Sequence, residues 1–324
     1  LARTLIVAFR WGIFLLACAF LWTHLTADKG TQALAVWHAM RNDPGLGGLL
    51  LLVVPLMLLN WGLESMKWRA LVAPVQRVGA VRAWLATIAG TSLALITPNR
   101  TGEFLGRVLF LDPGHRIAGS FATALGSIAQ FVVTLVMGGS ALVLMLLLDL
   151  PMPWPAGWIS TALVSLTAMV STGALLLYLR PSLLRQLLLL LPFLWRLEAA
   201  SSILNGYRGR DLAFVLFLSA LRYVVFTFQF VLLLGAFGSG VASATAMLVV
   251  PVVYLVSTLV PTVLFTEPGI RGTAAIAMFM PLGGNESAVL FATFGLWLVN
   301  LVVPALAGSV IMLFARIGTT GGQA

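Results

Sequence analysis

Charge is scarce in this chain: Asp, Glu, Lys and Arg make up only 9% of its 324 residues. A soluble domain of that length needs a far more polar surface, so a soluble globular fold is excluded. Cysteine is almost absent. The single Cys18 can close no internal disulfide and complete no Cys-His zinc pattern. His24, His38 and His115 are scattered along the chain, so no metal site is expected. No nucleotide-binding motif is present, and no Ser-His-Asp, Asp-rich or His-rich constellation marks a catalytic centre. The expectation is a protein that is not an enzyme and uses no cofactor. Any energy for its work comes from a gradient or from none.

What the chain has is apolar length. Hydrophobic residues make up 60% of the sequence, and the mean hydropathy is +1.03. The apolar runs are continuous rather than alternating, which points to spanning helices and away from a β-barrel. The predicted fold class is therefore all-α, a polytopic helical membrane protein forming one transmembrane domain over 1–324. The net charge of +9 is collected in short loops between apolar runs. That is the pattern of cytoplasmic loops, and it leaves no basic stripe for a nucleic acid.

Apolar runs at 5–25, 46–63, 117–148, 158–179, 212–237 and 288–314 predict about six full spans. The first is too long for a signal-peptide core and reads as a span. The loop 64–82 carries Lys67, Arg69, Arg77 and Arg82, with Glu64 at its edge. It is placed in the cytoplasm, and both termini with it. A basic stretch at 180–210 reads as an amphipathic helix lying on the same membrane face, broken near Pro192.

Two short charged stretches interrupt this pattern. One is Thr97-Pro98-Asn99-Arg100-Thr101-Gly102-Glu103-Phe104-Leu105-Gly106-Arg107, and the other runs from Pro261 to Glu267-Pro268-Gly269-Ile270-Arg271. Counting loop sides makes 83–111 start and finish inside, and 243–282 start and finish outside. Each is then a re-entrant helical hairpin, and the two enter from opposite sides. Opposed hairpins imply inverted repeats, here 1–150 and 157–316, which build binding sites near the membrane midplane from broken helices. Pro98, Gly102, Pro261, Pro268 and Gly269 are the expected helix breaks. Glu103 with Arg107, and Glu267 with Arg271, are spaced to pair on one helical face. Asn99, Arg100 and Arg222 complete the candidate binding set, with Arg100 and Arg222 left to offer positive charge to a ligand. Asn60, Gln130 and Asn300 read as hydrogen-bonding glue between helices. If both stretches lie outside the bilayer, the same residues are ordinary interfacial ion pairs.

At these residues the chain resembles the lysylphosphatidylglycerol synthase transmembrane-region family, also called flippase-like domain proteins. Pro98-Asn99-Arg100-Thr101-Gly102-Glu103 with Arg107 is similar to a segment in the first half of that family, and Gly269-Ile270-Arg271 to one in its second half. Two positions depart from the family pattern. Gly126-Ser127-Ile128-Ala129-Gln130 stands where the family often has a Glu-Arg pair, and Gly272 stands where a Glu commonly follows the second Arg. The resemblance implies movement of a lipid between leaflets of a bacterial-type inner membrane, without the soluble aminoacyltransferase domain. The expected partners are membrane lipids with a phosphate-containing headgroup, and a homo-oligomer is compatible with the sequence. A carrier for a small polar solute and a non-transporting accessory protein are the alternatives.

Overall fold

The structure is a computed structural model and describes residues 45–94, 97, 101–155, 157–189, 198–259 and 267–314. The expected first span, the tip residues Pro98, Asn99 and Arg100, the break near Pro192, Pro261 and the C-terminal Arg316 lie outside the described residues. Among the described residues every regular element is a helix.

The first of the described helices, α1 (Gly45–Val72), runs 28 residues through Pro55. The sequence reading ended this span at 63 and opened a loop at Glu64. Instead, the helix carries Glu64 and Lys67 inside the protein. No Gly or Pro separates Leu63 from Val72, and Pro74 supplies the stop just past the last turn. Helix α2 (Ala80–Ala94) and the short α3 (Gly102–Val108) fold back on each other as an antiparallel hairpin. Their backbones touch at Gly90 and Gly106, where a side chain on Gly106 would start 2.4 Å from the Gly90 Cα. Small residues permit such close helix contact in membranes.

Helix α4 (Arg116–Leu147) is followed, beyond a proline-rich turn, by α5 (Trp158–Leu179) and α6 (Pro181–Leu189). Only 6% of the apolar α5 window is buried within the protein, so its remaining surface requires an apolar surrounding. After a single turn at Glu198–Ser201 and a 3-10 turn at Ser202–Gly206, α7 (Gly209–Ala236) begins. The Asp211 carboxylate accepts from the Arg208 backbone N–H at 3.2 Å and caps its start. Helices α8 (Ser243–Thr258) and α9 (Glu267–Phe279) pack together as a second hairpin-like pair. Helix α10 (Glu286–Trp297) continues through a π turn at Leu298–Val302 into α11 (Val303–Phe314), which packs on α2. Among the described residues four helical stretches are long and apolar enough to cross a membrane: Pro113–Leu147, Trp158–Leu179, Gly209–Ala236 and Glu286–Phe314.

Two large apolar cores divide the helices along their length. The first holds Trp68 and Val72 of α1, Ala83 of α2, Val108 of α3, Leu125 of α4 and Val215 of α7. The second holds Val53 of α1, Ala141 of α4, Phe230 of α7, Val253 of α8, Phe279 of α9 and Val289 of α10. The first hairpin therefore roots its open end in one core, and the second roots its far end in the other. A polar layer lies where the cores meet. Along α1 it falls at Asn60 and Glu64, along α4 at Gln130 and Thr134, and along α7 at Arg222.

A separate lock holds α1 to the start of α7. The Tyr207 hydroxyl donates to the Leu71 carbonyl. Burial, with the Asp211 carboxylate adding to it, pushes the phenol well above its usual value and keeps this donor protonated. Tyr207→Phe leaves the Leu71 carbonyl short of a partner and should cost about 1 kcal/mol, read as a lower unfolding temperature in detergent. No change on losing the hydroxyl would mean that water or another donor takes its place.

Candidate functional site

The polar layer is built around one carboxylate. Glu64 lies one turn from Asn60 and one turn from Lys67, so helix α1 presents all three on one face. Glu64 accepts an ion pair from Lys67 at 2.6 Å on its own helix. Its other oxygen meets Arg107 of α3 at 2.7 Å, and Arg222 of α7 reaches, at 3.1 Å, the oxygen that Lys67 holds. Arg107 also holds Glu103 at 3.0 Å, the i,i+4 pair expected from the spacing. Glu64, Lys67 and Arg107 are each less than 5% exposed. One carboxylate thus ties three helices together through three cations. Two of these groups, Glu64 and Lys67, were assigned to a loop by the sequence. Arg222, expected to stand unpaired, is instead held by Glu64.

A cavity of about 220 Å³ opens beside this network. Arg222 lines it and connects it to Glu64. The Arg222 guanidinium stacks 5.5 Å from the Trp61 ring and donates to the Gln130 side-chain oxygen at 3.4 Å. Facing it is the second pair, Glu267 and Arg271 of α9, joined at 2.7 Å. Arg271 is flanked by the rings of Phe226 and Tyr254, each 5.5 Å away. Such stacking fixes the guanidinium plane while leaving its N–H edges available. Its Nε and Nη1, and the Glu267 Oε2, are buried without a hydrogen-bond partner. Buried donors and acceptors of this kind are rare because leaving them unsatisfied is costly, which marks the α9 side of the cavity as built for a polar ligand.

Asn300 sits on the π turn and also lines the cavity. Its side-chain oxygen accepts from Asn60 at 3.1 Å, and its backbone carbonyl accepts from the Trp61 indole at 3.2 Å. Asn60, Gln130 and Asn300 thus do bridge helices as the sequence suggested, but all three also face the cavity. π turns inserted in α-helices recur at functional sites.

The predicted residues therefore sort into groups. Arg222, Glu267 and Arg271 line one cavity, while Glu103 and Arg107 connect to it through Glu64. Gly102 opens α3 with its α-carbon pressed on the Leu93 carbonyl, where a side chain would start 2.2 Å away. Pro268 and Gly269 lie in the first turn of α9, so they open a helix rather than interrupt one. The sequence missed Glu64 and Lys67. Their signal was the polar face Asn60, Glu64, Lys67 in a run with no loop former.

The sequence pattern of the family described as "Lysylphosphatidylglycerol synthase TM region" matches residues 5–308 of the chain. No curated protein and no solved structure matches it. Nearly the whole chain carries the family pattern, and its long apolar helices surround the charged layer: it belongs to the lysylphosphatidylglycerol synthase TM region family and is a multi-pass membrane protein.

Proposed function

We propose that the protein moves the polar headgroup of a lipid between membrane leaflets, as a transporter and not an enzyme. The observation that carries this reading is the cavity lined by Arg222, Glu267 and Arg271 between two apolar cores. A headgroup crossing a bilayer must exchange water for fixed polar partners at mid-depth, and intramembrane charges mark such pathways. The volume of about 220 Å³ is below the roughly 300 Å³ at which drug-sized ligands are enclosed. It suits a headgroup, and the acyl chains stay in lipid.

In this reading the chain crosses an inner membrane about six times, with both termini in the cytoplasm. The α2–α3 and α8–α9 pairs re-enter from opposite faces as parts of inverted repeats 1–150 and 157–316. Support comes from their opposed roots: each pair is anchored in a different apolar core while its charged residues reach the shared polar layer. Inverted-repeat transporters assemble midplane sites in this way.

The test is leaflet exchange of headgroup-labelled phospholipids in proteoliposomes. Wild-type protein should accelerate exchange over empty vesicles, and Arg271→Gln should slow it about tenfold or more, since a buried charge-assisted contact is lost. A wild type no faster than empty vesicles across a panel of headgroups, with and without a proton or sodium gradient, sinks the transport reading.

A further inference from the structure

We infer that an anionic phospholipid of the surrounding membrane docks in a groove between the end of α1 and the start of α7, apart from the cavity of Arg222 and Arg271. The groove and that cavity share no residue. The inference needs only the membrane setting and does not rest on the transport reading.

The groove has a volume of about 380 Å³. Met66, Ala70 and Ala73 of α1 line it, with Phe214 of α7 and two arginines, Arg69 and Arg77. Met66 and Phe214 are 53% and 46% exposed, so the fold leaves apolar surface open here. Beyond the groove the same faces of both helices stay apolar. Leu59 and Leu52 follow Met66 along α1 at intervals of seven residues, and Leu221 and Phe228 follow Phe214 along α7 in the same way. All of them are exposed. Residues seven apart share a helical face, so an acyl chain has continuous apolar surface along α1 or α7.

The charge at the groove is of one sign. Arg69 and Arg77 are exposed, and among the described residues no carboxylate pairs with either. No acid lines the groove. Asp211, at the same end of α7, is engaged as a helix cap. The Arg69 Nε donates to the Val78 carbonyl at 3.1 Å. That bond anchors the guanidinium across the connection from α1 to α2 and leaves its Nη groups for a phosphate. Arg77 lies within the same connection, so a phosphate held by both arginines ties it to the end of α1. The groove opens near the start of the apolar stretch Gly209–Ala236, the level at which headgroups meet water. Arginines at that level attract anionic lipids, and the apolar walls favour a lipid over a soluble anion.

The experiment measures binding of dioctanoyl phosphatidylserine and dioctanoyl phosphatidylcholine to the full chain purified in a non-ionic detergent. Both lipids carry a phosphate, and they differ by one net charge. The serine lipid should bind roughly twenty-fivefold more tightly, since each of two arginines near a membrane surface contributes about fivefold. Arg69→Gln and Arg77→Gln should each lower its affinity about fivefold, and the double variant should bind both lipids alike. Arg77 is exposed and lies outside the helices, so its variant keeps the fold even if loss of the Arg69 bond disturbs it. Arg82→Gln, at an exposed position of α2 outside the groove, removes the same charge and should leave both affinities unchanged. Phosphatidylserine should also raise the unfolding temperature of the wild type and not of the double variant, because a ligand of the folded state stabilises it. Equal binding of both lipids by the wild type overturns the inference, as does a loss with Arg82→Gln as large as with Arg77→Gln. A preference untouched by the double variant places the lipid elsewhere and overturns it too. Water-soluble glycerophosphoserine binding as tightly as the intact lipid has the same consequence, because the occupant is then a soluble anion.

Discussion

Glu64→Gln should destabilise the folded protein by about 3–5 kcal/mol, the cost typical of leaving a buried ion-pair partner uncompensated. The substitution preserves shape and removes only charge. Lys67, Arg107 and Arg222 then lose the carboxylate they share at 2.6, 2.7 and 3.1 Å. Glu103 remains for Arg107, and Gln130 offers Arg222 a neutral oxygen at 3.4 Å. Lys67 keeps no carboxylate. Three cations would then repel one another where α1, α3 and α7 converge, so the loss should extend beyond one contact. Lys67→Met is the contrast. It removes a buried cation of similar volume and leaves Glu64 with two guanidinium partners, so it should cost under about 1 kcal/mol or even stabilise. Unfolding of the two variants in detergent, followed by loss of monodisperse protein with temperature, separates them. Equal losses would mean that Lys67 is as necessary as Glu64, and the hub would have to be described as a pair.

The ion pairs within one helix were legible because their geometry is local. Glu103 with Arg107 and Glu267 with Arg271 sit four apart, and helical spacing alone brings them to 3.0 and 2.7 Å. The runs 117–148, 158–179, 212–237 and 288–314 were legible for a similar reason: continuous apolar length requires a long helix, and each coincides with one of the four long apolar stretches within a few residues. Of the loop expected at 64–82, residues 73–79 do connect two helices, but 64–72 continue α1. That part was misread because basic residues in a membrane protein were counted as marks of sidedness. Lys67 is instead neutralised on its own helix, and a neutralised cation carries no information about which side of the membrane it faces. The partners of Glu64 lie 43 and 158 positions away in the chain, at Arg107 and Arg222. No local pattern links such distant residues, and Asn60 with Asn300 is a similar case.

The departure at Gln130 also acquires a physical meaning from the fold. A neutral amide there accepts from Arg222 at 3.4 Å, while the full charge opposite Arg222 comes from Glu64 on α1. The counter-charge of one cavity arginine is therefore also the anchor of the first hairpin, through Arg107. Hairpin position and cavity electrostatics are linked through a single side chain. That linkage makes the packing of the hairpin a functional matter, although Gly106 itself does not line the cavity.

Gly106→Ala should therefore impair transport as well as stability. An alanine Cβ would start 2.4 Å from the Gly90 Cα and 3.3 Å from the Ala89 carbonyl oxygen. Carbon atoms settle near 3.5–4.0 Å, so α3 must move from α2 by about 1 Å or more. Both close neighbours are backbone atoms, and no side chain can rotate to relieve the clash. Overpacking of this kind costs about 1–3 kcal/mol. Arg107 follows Gly106 directly and moves with it, which lengthens its 2.7 Å contact to Glu64 and loosens the carboxylate that holds Arg222. Exchange rates should fall about tenfold or more, since displacements near 1 Å can cost a site up to about a hundredfold. Gly173→Ala on α5 is the matched control. A side chain there meets nothing within 4 Å, and alanine should stabilise the helix by about 0.5–1 kcal/mol. Unfolding temperature and leaflet exchange, measured on both variants, decide the matter. If Gly106→Ala behaves like Gly173→Ala in both, the close approach of α2 and α3 is not what holds Arg107 against Glu64.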